Sequence, residues 1–96
     1  MDILEKIDGY LINESDETLI NKAVSVFNKE SYVSFCDWDN DDEEVLVSIS
    51  KEGKGLNFRV TRDGGGSRVF RDLRQAIKWT IDDMNKHGMD PKVIEP

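Results

Sequence analysis

The residues whose types and spacing are best suited to chemistry form an acidic segment between positions 37 and 44. It holds one tryptophan, Trp38, and its carboxylates are Asp37, Asp39, Asp41, Asp42, Glu43 and Glu44. Carboxylates at alternate positions are typical of a calcium loop, but the sixth position would be Asp42 instead of glycine, and the twelfth Ser48 instead of glutamate. We therefore predict no metal ion and no cofactor.

The composition of the acidic segment indicates recognition of another macromolecule. An aromatic residue surrounded by charge is common in protein interfaces, where the ring serves as an anchor. We predict that Trp38 and the six carboxylates contact a basic surface of a protein partner, with Tyr32 as a second candidate anchor. A nucleic-acid-binding protein is one candidate partner. Phage-borne antirestriction and anti-CRISPR proteins act by presenting carboxylates where phosphates lie, although no motif here identifies such a family. The alternative is a solvated hairpin loop whose acids keep strand edges from aggregating.

The charge is unevenly distributed along the chain. The net charge is -7, with 13 acids and three bases in residues 1–45 but seven acids and ten bases in residues 46–96. A basic surface in the second half would be the alternative site and would bind nucleic acid. Its candidate residues are Arg59, Arg62, Arg68, Arg71, Arg74 and Lys78. Acids such as Asp63 and Asp72 are interleaved with them, which favours a self-paired surface instead.

A glycine-rich segment, Asp63-Gly64-Gly65-Gly66-Ser67, lies among these arginines. It could hold an anion, with Arg62, Arg68 and Arg71 nearby to pair with it. However, it lacks the Lys-Ser/Thr of a P-loop and the spaced glycines of a dinucleotide site. We predict a flexible hairpin tip.

The sequence gives little support for catalysis. The one histidine, His87, falls at the end of a predicted helix, where a capping role explains it. No paired base is apparent for a serine or for Cys36, which we predict to be a small buried strand residue. We therefore predict that the chain is not an enzyme.

The cellular context follows from the cysteine content and the hydropathy. One cysteine excludes an internal disulfide, which fits a reducing compartment. No apolar run approaches about 18 residues, and the first residues carry acids where a signal peptide carries lysines. We predict a cytoplasmic protein with no membrane association. It would be a monomer or a homodimer, and a structural or assembly subunit is a further alternative.

Hydrophobic periodicity predicts a single α+β domain over residues 1–88 and a polar tail over 89–96. Two N-terminal helices, separated near residues 13–15, precede an antiparallel meander of three to four strands, and one C-terminal helix follows. The helices pack on one face of the sheet, giving two layers. In the second strand, Val45, Val47 and Ile49 are predicted to point inward.

The C-terminal helix has the clearest pattern. Asp72 can cap its start, and Gly88 stands just beyond its end. The residues on its apolar arc are Leu73, Ala76, Ile77, Thr80, Ile81 and Met84. Trp79 lies off this arc, so it either packs at the edge of the core or shows part of its ring to a partner.

A helix, three strands and a helix in this order resemble the outline of double-stranded-RNA-binding domains. That family carries a lysine cluster at the start of its last helix, whereas this chain has Arg71-Asp72-Leu73-Arg74. The resemblance is confined to the outline of the fold and implies no site residues.

Overall fold

A computed structural model of the chain describes residues 3–38, 44–53 and 57–96. It has an α+β fold with one open antiparallel sheet and two helices. The elements are α1 (Ile3–Glu30), β1 (Tyr32–Asp37), β2 (Val47–Glu52), β3 (Asn57–Arg62), β4 (Ser67–Phe70), α2 (Leu73–Lys86) and β5 (Pro91–Ile94). The strand order in the sheet is β4-β3-β2-β1-β5, so the predicted meander is present and β5 extends it beyond β1.

The core lies between one face of the sheet and the two helices. Val33 and Phe35 of β1 pair with Ile49 and Val47 of β2, and all four side chains are buried. The helices contribute apolar side chains to the same buried cluster, and the ring of Phe27 in α1 meets that of Phe58 edge-on at 5.5 Å. The two-layer prediction with helices on one face is confirmed.

The prediction of two N-terminal helices is wrong, because α1 is continuous from Ile3 to Glu30. Residues 13–15 contain no proline, and asparagine and serine cost only about 0.5 kcal/mol each in a helix interior, so the flanking turns carry the helix through. The helix ends where Ser31 adopts a left-handed conformation with φ of 67°. The N–H of Ser31 still donates to the carbonyl of Phe27, at 2.8 Å.

The predicted C-terminal helix is confirmed at both ends. The carboxylate of Asp72 accepts a hydrogen bond from the N–H of Arg74 at 3.0 Å, which satisfies one of the first free amides. At the other end, the N–H of Met89 donates to the carbonyl of Met84 and that of Gly88 to Asn85. This is a Schellman motif, and Gly88, with φ of 75°, supplies the left-handed residue it needs.

The segment predicted as a polar tail contributes the fifth strand. β5 pairs with β1, with Val93 opposite Phe35 and Pro91 opposite Asp37. Val93 is 2% exposed and belongs to the core cluster. Proline is tolerated here because it begins an edge strand. The predicted sheet of three to four strands therefore becomes a sheet of five.

The prediction that Val45 points toward the core is wrong. Val45 precedes β2, which begins at Val47, and it is 47% exposed. Alternation places a side chain on the core face only where the backbone is paired on the ladder. Within the described residues, neither helix combines the length and the apolar composition that a membrane span requires.

Candidate functional site

Three connections of the chain meet at one end of the sheet: β1–β2, β3–β4 and α2–β5. The antiparallel register brings together the end of β1, the start of β2, the β3–β4 turn and the start of β5. Backbone hydrogen bonds join these connections: the N–H of Asp63 donates to the carbonyl of Leu46 at 2.8 Å, and that of Trp38 to Asp90 at 2.9 Å. We call this region the acidic end, after the described carboxylates Asp37, Glu44, Asp63 and Asp90.

Trp38 is the most exposed large hydrophobic residue among those described, at 58%. It directly follows β1, and the ammonium of Lys92 in β5 lies 5.0 Å from the centroid of its ring. A cation over an indole face is attractive, so this contact favours the observed orientation of the ring. Val45, also exposed, directly follows Glu44, so Trp38 and Val45 are exposed apolar residues near the two ends of the acidic segment.

The described members of the predicted partner-binding set are Asp37, Trp38 and Glu44, and the structure brings all three to the acidic end. A carboxylate oxygen of Asp37 accepts a hydrogen bond from the N–H of Asp90 at 3.3 Å. Glu44 is exposed. The other four predicted residues lie outside the described part of the chain; they are Asp39, Asp41, Asp42 and Glu43.

Arg59 lies apart from the acidic end, on the sheet face opposite the helices. Its guanidinium donates to both carboxylate oxygens of Glu52, at 2.6 and 2.8 Å, and to the hydroxyl of Ser67 at 2.5 Å. This hydrogen-bonded pairing lowers the pKa of Glu52 from 4.5, and the hydrogen bond to Glu52 raises the pKa of Arg59. Arg59 is thus engaged by an acid of the neighbouring strand.

Other members of the predicted basic patch are also dispersed. Nε of Arg62 lies 3.5 Å from the carboxylate of Asp83 in α2. Arg74 donates a hydrogen bond to the side-chain oxygen of Asn21 in α1 at 2.9 Å, and it lies 3.9 Å from the carboxylate of Glu17.

Arg71 and Lys78 are exposed, Arg71 beyond the far end of β4 and Lys78 on the outer side of α2. Arg68 is also exposed, but its guanidinium lies over the rings of Phe70 and Trp79. Acids and bases are therefore intermingled across the described part of the second half, and its arginines do not form one continuous face. Arg62 and Arg68 are the two that line a common pocket.

Trp79 packs at the edge of the core. It is partly buried against the core cluster, with its ring centroid 5.7 Å from that of Phe70. The sequence left two interpretations open for Trp79, and the structure favours packing at the edge of the core. Arg68 covers part of the remaining ring surface.

The residues considered for chemistry occupy structural positions. Nδ1 of His87 lies 2.7 Å from the carbonyl oxygen of Asp83, one turn back in α2. Cys36 is fully buried in β1. In the part of the chain that the structure describes, no group of three or more His, Cys, Asp or Glu side chains is arranged to hold a metal ion.

Four residues of the acidic end were not predicted as site residues: Val45, Asp63, Asp90 and Lys92. A sequence signal exists for Asp63, which follows a predicted strand and so belongs at a sheet end. Asp90 and Lys92 were not predicted because the segment that carries them was expected to be a polar tail.

Comparison of this chain with protein-family profiles, with curated proteins and with solved structures found no match. The function must therefore be inferred from the site alone.

Proposed function

We propose that this chain is a small, acidic, non-enzymatic binding protein that docks on a basic surface of a protein partner through the acidic end. The proposed contact residues are Trp38, Asp37, Asp39, Asp41, Asp42, Glu43 and Glu44. The observation that carries this proposal is Trp38, which is 58% exposed at the end of the sheet that also holds Asp37, Glu44, Asp63 and Asp90. Exposed tryptophan is enriched among the residues that dominate binding energy.

The mechanism would combine electrostatic attraction with burial of an apolar anchor. Asp37, Glu44, Asp63 and Asp90 share the acidic end, and four further acids lie between Trp38 and Glu44 in the sequence. Such a density of negative charge accelerates encounter with a basic surface and excludes acidic partners. If that surface normally holds phosphates, the chain would inhibit a nucleic-acid-binding protein by occupying it, and a cytoplasmic location fits its single buried cysteine.

The competing proposal is a nucleic-acid module that uses Arg59, Arg62, Arg68, Arg71, Arg74 and Lys78. The pairing of Arg59 with Glu52 and of Arg62 with Asp83 weighs against it, because each pair places a carboxylate where a phosphate would have to bind. A gel shift with mixed DNA and RNA at low salt decides this point. Retardation that weakens in both Arg62→Ala and Arg71→Ala would favour this proposal over docking by the acidic end.

Affinity capture from a cell extract, followed by binding measurements with the purified partner, tests the docking proposal. We expect Trp38→Ala to weaken binding by at least about thirtyfold, as for an interface anchor. The fourfold variant Asp39→Asn, Asp41→Asn, Asp42→Asn, Glu43→Gln should also weaken binding and flatten its dependence on salt.

Matched control variants test whether binding depends on the acidic end or only on net charge and exposed aromatic surface anywhere on the protein. Tyr32→Ala removes another exposed aromatic ring, at the opposite end of β1, and should change affinity by less than about twofold. Neutralising Glu17, Glu30 and Glu95 together removes exposed charge elsewhere. Unchanged binding by the fourfold variant, or equal losses for Tyr32→Ala and Trp38→Ala, would contradict the proposal.

The remaining alternative, a structural subunit that assembles with copies of itself, makes a separate prediction. Sedimentation at high protein concentration should then show a dimer or larger species, whose formation depends on the exposed apolar residues. A strict monomer under those conditions would rule out self-assembly and leave docking on a different protein.

A further inference from the structure

Arg62 and Arg68 line a small pocket between the β3–β4 hairpin and α2. Its volume is about 210 Å³, and it is lined by Val60, Arg62, Gly66, Ser67, Arg68 and Trp79. In the sheet register, Val60 pairs with Arg68, so Arg62 and Arg68 both point to the helix-bearing face. We call it the Arg62–Arg68 pocket.

Arg68 is a cation held in place by aromatic rings. Its guanidinium carbon lies 5.5 Å from the ring centroid of Phe70 and 5.4 Å from that of Trp79. None of the ion pairs between described residues involves Arg68. None of the side-chain hydrogen bonds between described residues uses the N–H donors of Arg68, so its five donors can serve an acceptor in the pocket.

Arg62 is only partly neutralised. Its Nε lies 3.5 Å from the carboxylate of Asp83, and its side chain is 40% exposed. The two terminal nitrogens take part in no hydrogen bond between described side chains. The residues that line the pocket therefore carry two guanidiniums and no carboxylate, which makes the pocket locally basic in a chain that is acidic overall.

The turn that shapes the pocket depends on Gly66. Its φ is 93°, a conformation that side chains other than glycine rarely adopt, and its carbonyl accepts a hydrogen bond from the N–H of Arg62 at 3.1 Å. This bond closes the hairpin whose two strands carry Arg62 and Arg68. The predicted hairpin tip is thus a defined turn that positions one arginine before it and one after it.

We propose that the Arg62–Arg68 pocket binds an oxyanion of the phosphate type. Each guanidinium can donate two parallel hydrogen bonds, so two of them require up to four acceptor oxygens. A phosphate group offers enough oxygens for both, whereas a carboxylate offers two. The phosphate could be free in solution or carried on a larger molecule. This site adjoins the acidic end at the β3–β4 turn but shares none of the proposed contact residues, so its test does not depend on the docking proposal.

Tryptophan fluorescence gives a direct test, because Trp79 lines the pocket. In a Trp38→Phe background, inorganic phosphate is titrated at constant ionic strength maintained with chloride. We expect a saturable change in Trp79 emission. Arg68→Gln should weaken phosphate binding by at least about tenfold, since it removes charge-assisted hydrogen bonds. Arg71→Gln, which removes an exposed arginine outside the pocket, should leave it within about twofold.

A second measurement keeps the test decisive if Arg68→Gln does not fold. In the unmodified chain, phosphate should shift the amide NMR resonances of Gly66 and Ser67 and leave that of Gly53, at the other end of the sheet, in place. Parallel titrations use O-phosphoserine and acetate. Tighter binding of O-phosphoserine indicates a phosphorylated partner, and equal binding indicates free phosphate.

Three results would overturn the proposal. They are the absence of saturation with phosphate, equal affinity for acetate, and equal losses for Arg68→Gln and Arg71→Gln. The last would show that the emission responds to overall charge and not to the pocket.

Discussion

Glu52 and Arg59 face each other diagonally across β2 and β3, and two hydrogen bonds of 2.6 and 2.8 Å join the guanidinium to the carboxylate. Such diagonal neighbours interact along a sheet face when their side chains are long. The pair lies on the face that the helices leave uncovered, where it adds a side-chain contact to the backbone ladder between the two strands.

The Glu52–Arg59 pair makes stability depend on pH in a defined direction. Hydrogen bonding to Arg59 lowers the pKa of Glu52 in the folded chain from 4.5, so the carboxylate stabilises the fold above that value and ceases to do so as pH falls through the folded pKa. Glu52→Gln should therefore lower the free energy of unfolding at pH 7. Urea denaturation of both proteins at several pH values should show the difference disappearing in acid.

The double variant Glu52→Gln, Arg59→Gln completes this test. If the two side chains act through each other, the losses of the single variants will not add in the double variant. Additive losses, or a difference between Glu52→Gln and the parent that persists in acid, would contradict the assignment.

Replacing Ser31 with glycine should stabilise the fold. Its φ of 67° lies in the left-handed region, which costs residues with a Cβ about 1 kcal/mol. We expect Ser31→Gly to raise the free energy of unfolding by up to about 1 kcal/mol. Ser25→Gly, the same change at an exposed site inside α1, should lower it by about 0.5 kcal/mol. Chemical denaturation measures both, and the same sign for both changes would disprove the strain at Ser31.

The contribution of β5 can be measured with a matched pair of valines. Val93 in β5 is 2% exposed, whereas Val69 in β4, also an edge strand, is 43% exposed. Val93→Ala should cost about 2 kcal/mol through lost burial and a residual cavity. Val69→Ala should cost no more than about 0.5 kcal/mol. Equal effects in thermal or urea unfolding would mean that β5 is not docked in solution.

Thr80 is a buried polar residue whose hydroxyl donates to the carbonyl of Ala76 at 2.8 Å. That carbonyl already accepts a helical hydrogen bond, so replacing the hydroxyl with a methyl group leaves no acceptor unpaired. Thr80→Val should change the free energy of unfolding by less than about 1 kcal/mol. Thr80→Ser removes a buried methyl group and should cost about 1 kcal/mol. The reverse order in denaturation experiments would show that the hydroxyl is needed.

The elements that were predicted correctly contain strong local sequence signals for their structure. α2 has an acidic cap, an apolar arc and a terminal glycine within seventeen residues, from Asp72 to Gly88, and the structure uses each of them. The hairpin between β3 and β4 has strong turn residues in Gly64 to Gly66. In these stretches, local propensity and tertiary packing favour the same structure.

The elements that were missed depend on partners distant in the chain. β5 is four residues long and begins with proline, so only its pairing with β1 makes it a strand. α1 likewise continues through residues 13–15 because the helical turns on either side outweigh the weak tendency of these residues to break a helix. For the candidate site, Trp38 was identified from its neighbours, but Asp63 and Asp90 join it only through the fold.

The pairing of β1 with β5 also bears on how quickly the chain can fold. It places Phe35 opposite Val93, about sixty positions away, while β1 to β4 join neighbours in sequence order. Closing so long a loop costs entropy before its contacts form, so docking of β5 should limit the folding rate. Until then β1 exposes an unpaired edge, which makes the yield of refolding fall as the protein concentration rises.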